Sequence, residues 1–350
     1  MPKNTLVQLF NWYNYFIEIN FFKINDLLEN FYMLKEINPM KFYLKSFFNL
    51  MFMKNLSVLI ICLFLSFVAC GSDSDSGDGG GGLPTYDGFA AGLYLGDPLS
   101  GGTLIDTVAA NDVASAVSYV TNGSNLAGAY TLLMDDVSAA PQTLDRVNCQ
   151  LTIIGIGGER KIKLSSNPPL FFVITYEQNS ISLILGNNIT LVGSNNIYNN
   201  VAVVYVQNAA FTMLAGSKIT GNTANGGGVY VCNRSIFIMN GGEISGNTNI
   251  YDGIVNYSGG GGVYVGDNTP IGIFQIVSGT IYGNEETVAE ALKNNVISGG
   301  YGLPSSGAAL RRFVSGTAQY GNGSDTWNTL PLTDNSYTDN TIKYKNGVAQ

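Results

Sequence analysis

From Phe211 onward, apolar side chains alternate with small or polar ones in short stretches: Phe211 with Met213, then Phe237 with Met239, while Ile219 and Ile244 each follow a Gly-containing corner. A period of two predicts strands. Gly and Asn at the corners tolerate the positive φ of a tight turn. The stretches recur as phrases. FTMLAGSKITGNT begins at Phe211 and leads to GGGVYV ending at Val231; FIMNGGEISGNT begins at Phe237 and leads to GGGGVYV ending at Val265. FQIVSGTIYGN follows from Phe274, and a degraded FVSGTAQYGN from Phe313. The Gly-Asn pair thereby returns at Asn222, Asn247, Asn284 and Asn322.

Less regular apolar runs precede these copies, among them Leu132-Leu133, Leu151 to Ile154, Ile162 to Leu164, Leu183 to Leu185, Ile189 to Leu191 and Val203 to Val206. A short strand cannot bury its inner face alone, but copies stacked on one another can. Parallel connections are overwhelmingly right-handed. The expected fold is therefore all-β: a right-handed single-stranded parallel β-helix, or solenoid, over residues 85–350. A short capping helix is predicted at 111–121, within a cap spanning about 85–125, because Val113, Ala116, Val117 and Val120 share one face and Asn111 or Asp112 can cap it. An insertion at about 285–310, with a short helical stretch from Thr287 to Asn294, is expected to project as a loop, and the end of the chain is polar.

Stacking gives the turn asparagines a structural role: Asn222, Asn247, Asn284 and Asn322 are expected to form a ladder of side-chain amides. Tyr205, Tyr230 and Tyr264 recur at equivalent positions. If exposed, they would form an aromatic row suited to sugars or a protein surface; packing against the coils is the alternative.

Composition divides the chain at Cys70. All 43 glycines follow it, whereas the preceding residues are apolar, aromatic and rich in Asn and Lys. Lys54, the apolar run Leu56 to Val68 and Ala69 follow the plan of a signal peptide over residues 53–69, and the run is shorter than the roughly 20 residues of a spanning helix. Phe67-Val68-Ala69-Cys70 resembles the lipobox of bacterial lipoproteins, with Phe67 in place of the usual Leu. The resemblance implies cleavage before Cys70 and its acylation, so that Cys70 anchors the chain in a membrane. Residues 70–84, with GSDSDSGD and a run of glycines, read as a flexible acidic tether. Residues 1–52 read as an upstream extension, with Met53 as the natural start.

The repeat phrases resemble those of surface lipoproteins of spirochaetes and Bacteroidales that carry pectate-lyase-like β-helix repeats. That resemblance implies a lipid-anchored adhesin-like protein of the outer membrane or cell surface. A non-catalytic module binding a glycan or a host or cell-surface protein is the leading expectation. A structural envelope protein and a polysaccharide lyase or hydrolase are the alternatives.

Charge and residue content narrow the chemistry. Beyond Cys70 the chain holds 11 basic and 21 acidic residues, which argues against nucleic acid as a partner. The absence of His excludes Ser-His-Asp and Cys-His catalysis. No cofactor or metal is expected. Lyase or hydrolase chemistry needs clustered carboxylates and a base, and the candidates are poor: Asp252 and Asp267 fall in different loops, Arg311-Arg312 is isolated, and strand alternation would point Asp135 and Asp136 to opposite faces. Cys149 and Cys232 are far apart, and no disulfide is expected between them.

Overall fold

The computed structural model describes residues 83–166, 169–176, 180–194, 202–224, 226–251, 260–266, 272–298, 308–312, 317–321, 327–332 and 337–350. Residues 81–350 form one compact unit. Cys70, Asn322, Asp252, Asp267 and Phe313 lie outside the described residues.

The described chain is nearly all strand, and its sheets are built largely of parallel pairs. Three parallel ribbons are visited in a fixed cyclic order. The first contains Ala129–Met134, Cys149–Gly155, Ile181–Leu185 and Ala210–Leu214, each paired to the next. The second contains Val137–Ala139, Arg160–Leu164, Ile189–Val192 and Lys218–Thr220. Gln142–Leu144, Phe171–Ile174, Val204–Gln207, Val229–Cys232 and Val263–Val265 make the third. After each visit to the third ribbon, the chain re-enters the first one strand further along.

Strand Ile236–Ser245 joins the first two ribbons, pairing with both Ala210–Leu214 and Lys218–Thr220. Its corner is taken by Gly241 and Gly242, at φ 145° and 83°. A Cβ on Gly241 would come within 2.5 Å of the Ala215 amide nitrogen. Backbone from successive passes stacks just as closely at the GGGVYV phrases, where a Cβ on Gly227 would lie 2.1 Å from the Gly261 carbonyl oxygen. Glycine is required there by the space between passes as well as by φ.

In-register pairing sorts the apolar residues into columns. Leu151, Leu183, Phe211, Phe237 and Phe274 occupy one column, and all are fully buried. The Phe237 ring lies 4.9 Å from that of Phe211 and 5.1 Å from that of Phe274. Ile162, Leu191, Ile219, Ile244 and Ile281 form another column. These side chains and the valines of the third ribbon belong to one continuous core. Burial of each is worth roughly 1.5–3 kcal/mol relative to exposure. In the degraded copy it is Ala318 that pairs with Phe274, so the Phe313 phrase is out of step with the phrase at Phe274.

Both ends of the parallel stack are closed by short antiparallel strands. Gly92–Leu95 pairs with Ala129–Met134 on one side and Thr103–Leu104 on the other. Helix Val113–Thr121 begins at Asp112, whose carboxylate accepts from the Ser115 amide at 3.0 Å. Its Val113, Ala116, Val117 and Val120 are buried, and it packs against the early strands Gln142–Leu144 and Cys149–Gly155. At the far end, Tyr337–Thr338, Asn328–Thr329 and Ile342–Lys345 add in antiparallel fashion. Such endings remove the long open edge on which strands aggregate.

The insertion departs from expectation. Its only helical element among the described residues is a single turn, Glu290–Leu292, and the segment then rejoins the body as strand Asn295–Ser298. That strand pairs with Thr248–Tyr251, which pairs with Thr223–Ala224, giving a small side sheet.

Candidate binding groove

The amide ladder is made at the residue just before each strand of the side sheet. Asn247 Oδ1 accepts from the Asn222 backbone N–H at 3.2 Å, and Asn294 Oδ1 accepts from the Asn247 N–H at 2.9 Å. Asn222 Oδ1 in turn accepts from the Ser194 N–H at 3.3 Å. All three asparagines are buried, and each donates to a nearby carbonyl: Asn222 to Gly227, Asn247 to Ser245 and Asn294 to Tyr282. Asn294 therefore occupies the position expected of Asn284. Asn284 is half-buried, and its backbone N–H donates to the Asp339 carbonyl at the start of the insertion. The chain leaves the stack after Gly283 and returns ten residues later, so the amide next in line is the one on the returning side. With no unsatisfied or solvent-facing group, the ladder is a structural device.

The tyrosine row also differs from the exposed-row expectation. Phe172, Tyr205, Tyr230 and Tyr264 follow one another on the outward side of the third ribbon. Successive ring centroids lie 4.6, 4.9 and 5.0 Å apart. Tyr230 is 9% exposed and Tyr264 3% exposed, packed in a small apolar cluster with Ala202 and Cys232. Only Tyr205 is partly open, so the row offers no aromatic platform. Cys149 and Cys232 are both free and buried.

The open polar surface lies instead on the outward side of the second ribbon. Inward residues there are Ile162, Leu191, Ile219 and Ile244, so alternation turns their neighbours outward. One outward row reads Lys161, Thr190, Lys218, Glu243; the other reads Ser138, Lys163, Val192, Thr220, Ser245. These rows floor a groove of about 740 Å³, with Asp136 and Glu159 at its side and Ala291 and Leu292 of the insertion at one end. Its acidic groups are already engaged. Glu159 accepts from Thr190 Oγ1 at 2.9 Å and faces Lys218 Nζ at 4.0 Å. Glu243 accepts from Ser245 Oγ at 2.8 Å, and Asp136 from the Lys161 backbone N–H at 2.7 Å. Lys161 and Lys163 are exposed.

Asp135 and Asp136 serve different places. Asp136 borders the groove, whereas Asp135 pairs with Arg160 at 3.3 Å beside a smaller hollow of about 210 Å³ formed with Tyr86 and Phe89. Burial, reinforced by the charge of Asp97, pushes the Tyr86 phenol up, so it stays protonated. Arg311 lies on the third ribbon, in strand Leu310–Arg312. Among the described residues no cluster of three or more acidic or Cys side chains could hold a metal ion, and no helix is long and apolar enough to cross a membrane. The groove lysines were not singled out in the sequence, because they sit in the irregular early passes where no repeat phrase marks them. Comparison with protein-family models, curated proteins and solved structures found no match.

Proposed function

We propose that residues 83–350 wind as a right-handed parallel β-helix and that the protein is a lipid-anchored, non-catalytic surface module that binds an extended polar ligand along the second ribbon. The cyclic order of the three ribbons and the right-handed preference of parallel crossovers support the winding. The signal-like segment and Cys70 support the anchor at an outer membrane or cell surface. The groove is the observation that carries the binding role. A row of ammonium, carboxylate and hydroxyl groups is held on a rigid parallel sheet, open to solvent, with no nucleophile-base pair or metal cluster among its residues. Hydroxyl-rich chains such as glycans match that donor and acceptor set.

The test uses cells expressing the full chain, Cys70→Ala, or Ser138→Trp, which fills the groove from an exposed position. Alkyne-palmitate is expected to label the wild type and Ser138→Trp but not Cys70→Ala. Adhesion of the cells to an array of glycans and extracellular proteins is expected to be lost in Ser138→Trp. Label retained by Cys70→Ala would remove the anchor, and adhesion untouched by Ser138→Trp would remove the groove.

A further inference from the structure

Most of the fixed cations along the groove have partners. Lys218 faces Glu159, Arg160 is held by Asp135, and Lys293 contacts Glu290. Lys161 and Lys163 differ: both are exposed, and neither side chain has an ion pair or hydrogen bond among the described residues. They lie two positions apart on strand Arg160–Leu164, so both point outward, with roots roughly 7 Å apart on a pleated strand. The chain carries a net charge of −8 and has carboxylates to spare, yet none is brought against this pair. It is a local reversal of sign, opening onto the groove and bordered by the Ser138, Thr190 and Thr220 hydroxyls.

We infer that the groove's ligand is a linear polysaccharide bearing carboxylate or sulfate groups, with Lys161 and Lys163 receiving its acidic groups. This rests on the groove being the binding surface. The hydroxyls and the carboxylates of Asp136 and Glu243 then accept and donate along the sugar ring edges. Those same carboxylates, at either side of the lysine pair, oppose a continuous polyanion. The arrangement therefore selects spaced acidic groups on a hydroxyl-rich chain over a nucleic acid.

The experiment measures retention of detergent-solubilised full-length protein on immobilised hyaluronate, dextran sulfate and plain dextran, for the wild type, Lys161→Gln/Lys163→Gln and Ser138→Trp. Retention on hyaluronate or dextran sulfate but not dextran is expected. It should weaken as salt rises, fall roughly tenfold in the double lysine variant and disappear in Ser138→Trp. The hyaluronate and dextran sulfate arms tell a carboxylate preference from a sulfate preference. Retention on plain dextran that Ser138→Trp abolishes and the lysine variant leaves intact would overturn the inference while sparing the groove. Retention on none of the polymers, or retention indifferent to both variants, would overturn both. Circular dichroism of each variant separates loss of binding from loss of fold.

Discussion

A buried amide is tolerated only where its hydrogen-bonding groups are met, and Asn247 meets its own while satisfying a neighbour. Its Oδ1 takes the Asn222 N–H, and its Nδ2 donates to Ser245 and Asn294. Removing the side chain in Asn247→Ala strands a buried N–H, which costs about 1–3 kcal/mol. Asn284→Ala removes a half-buried side chain outside the ladder and should stay within about 0.5 kcal/mol of the wild type. Urea denaturation of the two variants checks the difference, and equal losses would contradict the ladder as drawn here. The Asn222 and Asn247 positions were legible because the same phrase surrounds both. Asn294 was not, since it follows an insertion and has no Gly-Asn phrase beside it. The lysines of the groove were equally hidden, because an outward polar residue carries no periodic signal and the significance of Lys161 and Lys163 lies in what is missing around them.

Strands and corners were the most legible elements. Alternating apolar residues marked nearly every parallel strand, because the inward face of each must match the column beneath it, and the apolar face of Val113, Ala116, Val117 and Val120 marked the helix. The antiparallel closing strands were far less visible: Asn328–Thr329 and Tyr337–Thr338 have two residues each, too short for any period to register. The last of them is held by the insertion. Glu285 accepts from the Thr341 N–H at 2.7 Å, Gly283 donates to Thr341 Oγ1 at 2.9 Å, and Asp339 accepts from the Ala308 N–H at 2.8 Å. Burial pushes the Glu285 carboxyl up, but the hydrogen bonds from Thr341, with Lys293 nearby, outweigh it and hold the group below its ordinary 4.5. A depressed carboxyl stabilises the fold above its unfolded value and loses that contribution as pH falls through the folded one. Below pH 4.5 the C-terminal strands should therefore exchange their amide hydrogens faster, starting with Thr341, while the central strands stay protected. Glu285→Gln should show the fast exchange already at neutral pH; unchanged exchange in that variant would contradict the clasp.

Taken together, the passes form a stack in which each strand pairs with the pass below and the pass above. Stability in such an arrangement is a sum of neighbouring interfaces. Phe237 occupies the middle of a fully buried aromatic column, and Phe237→Ala should cost about 3–5 kcal/mol. The loss should also be local. Hydrogen exchange is expected to rise across Val229–Cys232, Ile236–Ser245 and Ile273–Ile281, while Cys149–Gly155 and Arg160–Leu164 hold their protection. A uniform loss of protection along the chain would mean that the stack unfolds as one cooperative body.

The in-register pairing of Ile236–Ser245 with the strands before it has a genetic consequence. Asn222 and Asn247 are 25 residues apart and occupy equivalent places in successive passes. Unequal recombination between the DNA segments encoding them would insert or delete one whole pass, leaving the closing strands at both ends untouched. Each event would change the length of the groove floor by one strand spacing, about 4.8 Å. Length variation in such a gene is thereby translated directly into the reach of the surface the protein presents.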